Sequence, residues 1–412
     1  MQENPLTDCH VMAKPSGARC NIACRYCFYL EKEKLYPDRD TDWRMNDETL
    51  ERYIRQYIDA QTQDVVEFAW QGGEPTLLGL DFYKKVVKLC RKYSDGKHIT
   101  HAFQTNGILL NEQWCEFFAE HNFLVGISVD GPEKLHDIYR VNRAGKPTFA
   151  VVRKAVDYLK KSNVSFNTLT VVHSDNADYA EDIYQCLKGL GAIHMQFIPL
   201  LERQPTESSD YLVSLSEPDA NFGNVTPWSV SPQQYGRFLN RLFDVWVTQD
   251  VGTVFVQQFE NTLASWLGHP SGSCIFSETC GKALVLEANG DVYCCDHYVY
   301  PNYKLGNIAE DELKHLVISD KAVEFGNSKR RDLTQSCITC EYRFACHGGC
   351  PKHRIVTSPL GQPRHNYFCQ SYKAYFQHTE PYMKIMAHLV SQGRPASDII
   401  PFLASRNIQQ SG

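Results

Sequence analysis

Three cysteines crowd into the stretch Cys20-Asn21-Ile22-Ala23-Cys24-Arg25-Tyr26-Cys27, shortly after Pro15 and Gly17. Three thiolates can hold three irons of a cubane iron–sulfur cluster and leave the fourth iron open, whereas an electron-transfer cluster takes four cysteines and has no iron free for chemistry. The same i, i+4, i+7 spacing is also that of a buried stripe on a helix, and free cysteines are often buried as small hydrophobes. Asn21 and Arg25 interrupt such a stripe, and Pro15 and Gly17 argue for a loop.

A second field of thiols lies far along the chain, where nine of the sixteen cysteines fall between 274 and 369. Cys280 is followed by Gly290 and Cys295, then by Cys337-Ile-Thr-Cys340, Cys346, Cys350 and Cys369. With Cys274 there are eight candidate ligands, enough for two four-thiolate sites, and Cys294 stands beside Cys295 as a possible exchange for it. A Cys-x2-Cys knuckle with later cysteines is also a common zinc site, and thiolate spacing does not separate the two metals. Asp296, next to Cys295, has two readings: a solvated surface carboxylate, or a general base facing a substrate thiol or hydroxyl. Cys90, Cys115 and Cys186 sit in helix-like stretches and read as structural.

The chain of 412 residues, 43% hydrophobic with a mean hydropathy of -0.39, has material for one large domain and a smaller one. A net charge of -6 gives no electrostatic case for nucleic acid, and no apolar run suggests a membrane helix. The first residues lack the basic and apolar regions of a secretion signal, so a cytoplasmic protein is expected. In that reducing compartment disulfides are disfavoured, and sixteen cysteines are better explained by metal or cluster ligation.

The elements that would position these residues alternate. Strands are predicted at Val11–Lys14, Val65–Trp70, a run ending in Gln104-Thr105-Asn106-Gly107, Phe123–Val129, Phe166–Val172 and His194–Leu200. Helices lie between them: one capped by Asn46 with Leu50, Tyr53, Ile54, Tyr57 and Ile58 on one face, then about 81–93, 111–121, a stripe of Phe149, Val152, Val156 and Leu159, and about 177–190. Six such units predict a parallel α/β fold, a partial (β/α)6 TIM-like barrel with its chemistry at the carboxyl ends of the strands and a lateral opening wide enough for a peptide. The triplet, Gln71-Gly72-Gly73-Glu74, Thr105-Asn106-Gly107 and Ser128-Val129-Asp130 all fall at those ends, although each alone could be an ordinary turn. Residues 202–233 read as a long surface connection, Phe238, Leu242, Val245 and Trp246 as a bridging helix, and about 372–389 as a closing helix. The expected division is a barrel over 5–230, a bridge over 231–269, a cysteine-rich domain over 270–372 and a helical tail over 373–412.

The triplet, with an aromatic residue before its last cysteine, resembles the signature of the radical S-adenosylmethionine enzymes, and the later cysteine pattern resembles the SPASM auxiliary-cluster domain. From about His10 to Cys369 the chain is similar to the anaerobic sulfatase-maturating enzymes, which convert a cysteine or serine of a sulfatase into formylglycine (3-oxoalanine). The resemblance implies three [4Fe-4S] clusters and S-adenosyl-L-methionine. Cys20, Cys24 and Cys27 would hold the cluster that cleaves the cofactor to a 5′-deoxyadenosyl radical. Cys274, Cys280, Cys295 and Cys350 would hold the nearer auxiliary cluster, and Cys337, Cys340, Cys346 and Cys369 the farther one. It further places Gly72, Gly73 and Glu74 beside the methionine amino group, Ser128 and Asp130 near the ribose, Tyr26 near the adenine, Tyr29 and Gln71 near the target side chain, and Asp296 as the base. Its partners would be an unfolded or nascent sulfatase with a Cys/Ser-x-Pro/Ala-x-Arg motif and an electron donor such as flavodoxin or ferredoxin, with no nucleic acid and no membrane. Two rivals stand beside it: a radical maturase that crosslinks a small peptide, for which the ten residues before the first strand are expected to leave no precursor-binding domain, and a zinc-bearing interaction protein.

Overall fold

The computed structural model describes residues 9–30, 32–35, 43–204 and 224–410. Six strands, β1 (His10–Lys14), β2 (Val65–Trp70), β3 (His98–Thr105), β4 (Phe123–Ser128), β5 (Phe166–Val172) and β6 (His194–Pro199), pair in parallel in chain order, as the alternation predicts. Alternate side chains such as Val66, Phe68 and Trp70 are buried, and the intervening helices close over the sheet with their apolar faces. The first helix, Asp47–Ala60, is capped as expected: the Asn46 side chain accepts the Thr49 N–H at 2.8 Å. The helix expected from about 177 starts at Ala180, because the Asn176 side chain accepts the His173 N–H and holds the preceding residues in a turn.

The sheet continues past the six expected strands. A short pair, β7 (Arg203–Gln204) and β8 (Asn224–Val225), flanks residues 205–223, and this part of the expected surface connection lies outside the described residues. β9 (Phe255–Val256) adds to the β6 edge, and β10 (Ala283–Glu287), from the cysteine-rich region, adds in parallel to β1 from His10 opposite Ala283 to Lys14 opposite Glu287. β11 (Asp291–Tyr293) and β12 (Lys304–Asn307) follow antiparallel, after a tight turn at Gly290, whose φ of 88° suits glycine. The bridging helix runs over Pro232–Gln249 with a Ser231 and Gln234 capping box, and a second helix, Gln257–Trp266, follows it. The closing helix spans Cys369–Ser391 and packs Tyr372 and Tyr375 toward the bridge, and Ile399–Gln410 forms a last helix.

Between β1 and the first helix the cysteine triplet is neither helix nor strand, so its i, i+4, i+7 spacing is not a helical stripe. The loop is tied to the end of β2 instead: Gly73 N–H donates to the Gly17 carbonyl and Glu74 N–H to the Arg19 carbonyl, both at 2.8 Å. A Cβ on Gly73 would lie 2.1 Å from the Arg19 carbonyl oxygen, a backbone atom that cannot turn aside. Gly73→Ala is therefore expected to force the triplet off β2 and cost about 1–3 kcal/mol, read as a lowered Tm of the full chain, whereas Gly79→Ala, with open space at its Cβ, costs only the backbone strain of its φ of 79°.

His136, fully buried after β4, accepts the Asp130 N–H at Nδ1 and meets Thr148 Oγ1 at Nε2, so its ring is neutral in the fold. Burial, reinforced by the Arg140 charge, pulls its pKa down to about 4. The unfolded chain takes up that proton near pH ~6.5, so the stabilising contribution is complete above that pH and is lost as the pH falls toward 4. Its expected size is about 1.4 kcal/mol per pH unit across that window. His136→Gln should flatten the fall in Tm between pH 6.5 and 4.5 by that amount, and an unchanged pH slope would remove His136 from this role.

Candidate active site

The carboxyl ends of β1 to β4 open on one cavity of about 160 Å³. One wall carries Cys20, Cys24 and Cys27, none of them in a disulfide. Burial pushes Cys20 up to about 11, helped by the Glu74 carboxylate, and Cys24 up to about 12, opposed by Arg140. Such thiols ionise when a positive metal takes the place of their protons.

Glu74 is completely buried and its carboxylate is fully engaged: it accepts from Thr76 N–H and hydroxyl, the Thr105 hydroxyl at 2.8 Å and the Asn106 N–H at 2.8 Å. It thus joins the end of β2 to the end of β3. Asn106 then reaches the triplet, donating from Nδ2 to Asn21 at 2.7 Å and toward the Cys20 sulfur at 3.6 Å. Gly72, Gly73 and Ser128 line the same cavity, as does Gln71, which is bonded to Gln104. Tyr26 also lines it, while Asp130 stands behind the wall: its Oδ1 accepts the Val171 N–H and its Oδ2 the Tyr26 hydroxyl. Arg140 completes this group by donating to the Tyr26 oxygen at 2.9 Å. The Thr148 hydroxyl, held by His136, bonds to the Arg140 carbonyl.

Across the cavity stands Asp296, carried there from the cysteine-rich region by the turn after β11. It pairs with Lys14, a 2% exposed ammonium at the end of β1 that also lies 3.4 Å from the centre of the Tyr29 ring. Burial would raise the Asp296 pKa, but the Lys14 charge and hydrogen bond, with His297 and Lys32, together hold the carboxyl below its usual range. The Tyr29 hydroxyl bonds to Glu287 at the end of β10, which fixes the ring against the same corner. Two tie points, Lys14 with Asp296 and Lys352 with Glu202 at 2.6 Å, hold the C-terminal region against the barrel mouth.

The remaining thiols fall into two groups in space. Cys350 lies near Cys274, Cys280 and Cys295, while Cys337, Cys340 and Cys369 lie near Cys346. Cys294 is fully buried and faces away, toward Lys321, because successive residues of an extended chain alternate sides. Among the described residues no three His, Cys, Asp or Glu side chains close on one point as a single ion requires; the thiols are neighbours that do not converge.

Lys14 and Arg140 are not singled out by the sequence, and Asn106 is marked there only as part of the Thr105-Asn106-Gly107 strand end, with no role of its own. Lys14 carried a usable signal, since a lysine ending an apolar strand just before a proline is a charge drawn into the interior. Arg140 carried none, because it follows a four-residue helix, Glu133–His136, too short for periodicity.

Comparison with known proteins adds the family. Residues 15–187 match the radical SAM superfamily, and residues 274–341 match an iron–sulfur cluster-binding domain. The chain is 45% identical to a serine-type anaerobic sulfatase-maturating enzyme of Bacteroides thetaiotaomicron over 94% of each protein. It is 34% identical to a cysteine-type enzyme of Clostridium perfringens, over 90% of this chain and 96% of that one. A solved structure described as native anSMEcpe with bound AdoMet and Cp18Cys peptide superposes with a TM-score of 0.80, covering 92% of this chain and 99% of that one. A cavity shared by the three-cysteine loop and a carboxylate from the second cysteine field is thus accompanied by similarity along nearly the whole length, and the chain belongs to the anaerobic sulfatase-maturating enzymes of the radical SAM superfamily.

Proposed function

We propose that this protein oxidises a serine or cysteine side chain of an unfolded sulfatase to formylglycine. The observation that carries the reading is the single cavity in which Cys20, Cys24 and Cys27 face Asp296. The residues suit the groups this chemistry needs. The three thiols share one wall, the buried Gln71 Oε1 and Arg140 Nε lack partners among the described residues where a polar cofactor would lie, and the eight C-terminal thiols form two sets of four. When bound, the clusters and S-adenosyl-L-methionine supply the hydrogen-abstracting radical and accept the electron that the product must shed.

The chain's own residues do the rest. Cys20, Cys24 and Cys27 hold the cofactor-cleaving cluster; Cys274, Cys280, Cys295 and Cys350 hold the nearer auxiliary cluster, and Cys337, Cys340, Cys346 and Cys369 the farther one. Gly72, Gly73, Glu74 and Ser128 shape the cofactor's seat, while Asp130 acts through Tyr26 and Arg140. Tyr29 and Gln71 flank the target side chain, and Asp296 takes its thiol or hydroxyl proton. Lys14 keeps that carboxylate ionised and aimed, which is the state a base must start from. The division into a barrel over 5–230, a bridge, a cluster domain over 270–372 and a tail goes with this assignment. Flavodoxin or ferredoxin in the cytoplasm would be the electron donor.

Two measurements test the reading. Iron and sulfide analysis of the anaerobically reconstituted chain should give about twelve irons, falling to about eight with Cys20, Cys24 and Cys27 all replaced by alanine. That variant should also lose all cleavage of S-adenosyl-L-methionine, and retained cleavage would defeat the assignment. With a Ser-x-Pro-x-Arg or Cys-x-Pro-x-Arg peptide, Asp296→Asn should keep its iron and lower aldehyde formation by about 100-fold or more; full activity would take the base role from Asp296.

A further inference from the structure

Lys329 and Arg354 lie deep in the C-terminal region, 0% and 7% exposed, and neither forms an ion pair with a carboxylate among the described residues. A buried cation without a counter-charge is costly, so its surroundings should hold a negative one. The anionisable groups around them are thiols and, beside Arg354, the Tyr298 hydroxyl. Lys329 lies within electrostatic reach of Cys280, Cys350 and Cys274, and Arg354 of Cys337, Cys350 and Cys280, so Arg354 is near members of both cysteine sets.

The chain is cut to seat both groups. The Lys329 Nζ donates to the carbonyls of Cys274 and Ile275 at 2.7 and 2.9 Å, fixing the turn that presents Cys274. Gly326, three residues earlier on the same helix face, lets the Cys280 backbone approach so closely that a Cβ would lie 2.7 Å from its carbonyl oxygen. Arg354 donates to the carbonyls of Lys329, Gly348 and His347. It thereby braces the loop that runs from Cys346, in one set, to Cys350, in the other. Gly348 takes a φ of 74°, and a Cβ there would meet the Arg354 guanidinium at 2.9 Å.

We infer that Lys329 and Arg354 are the built-in counter-charges of the auxiliary clusters and raise the reduction potential of the nearer one. The inference rests on the proposed assignment of the two cysteine sets as cluster ligands. A cubane bound by four thiolates is already an anion and gains one more negative charge when it takes up an electron, so two fixed cations beside it favour the reduced form. The consequence for the reaction is direction. The substrate must lose a hydrogen atom, a proton to Asp296 and one electron, and a bound oxidised cluster would be the readier acceptor of that electron.

The test is a redox titration followed by electron paramagnetic resonance on the full chain, with Cys20, Cys24 and Cys27 replaced by alanine so that only auxiliary clusters contribute. At the midpoint potential of this background, Lys329→Met is expected to lower the reduced-to-oxidised ratio at least tenfold, about 59 mV for one electron, while Lys329→Arg stays within about threefold of the parent. Arg354→Gln should lower the ratio as well, and Arg354→Lys should not. A fully loaded neutral variant with an unchanged ratio overturns the inference. Loss of iron in both neutral variants but in neither charge-keeping one supports it, and loss in all four overturns it. Absence of iron and sulfide from the parent would instead defeat the cluster assignment itself.

Discussion

The parallel pairing of β10 with β1 is the constraint on which the site depends. Five residues in register set Lys14 beside Glu287 at the ends of neighbouring strands, and the turn through Gly290 and β11 then returns the chain to lay Asp296 against Lys14. A carboxylate more than 250 residues away in sequence thereby faces the three-cysteine loop. Were the cysteine-rich region only tethered to the barrel, the cavity would have thiols on one wall and no carboxylate from that region on the other.

Charge is handled by the same logic throughout. The interior of this protein holds several ammonium and guanidinium groups, and four of them are placed beside a specific ionisable group or ring that opposes the loss of water. Lys14 has Asp296 and the Tyr29 ring, Arg140 has Tyr26 and the carboxylate behind it, and Lys329 and Arg354 have the thiols. Where no such partner exists the group stays neutral, as His136 does between Asp130 and Thr148. These buried pairs sit at the cavity or at the cysteine sets, whereas the ordinary surface ion pairs, such as Lys161 with Glu112, are exposed and contribute little.

Much of the barrel was legible because its signals are local. β2 and β5 fall on the residues their apolar runs predict, and Asn46 and Asn111 cap their helices with the side-chain bonds their types favour. Signals failed where a pattern has two physical meanings or none. The triplet's spacing suits a helix as well as a loop, and only the close approach of Gly73 shows that the loop is laid along β2. The added strands β9 to β12 are two to five residues long, too short for periodicity to mark.

The sequence by itself determined the number and order of the barrel units, the three crowded cysteines, the eight later candidate thiols and the carboxylate beside one of them, because ligand type, spacing and hydrophobic period are properties of neighbouring residues. Tertiary structure alone decided that Asp296 meets Lys14, that Cys295 faces its partners while Cys294 turns away, and that Lys329 and Arg354 lie among thiols. Those facts concern residues tens to hundreds of positions apart. Nothing in a local pattern encodes them; they follow from which strand edge the C-terminal region joins and in which register.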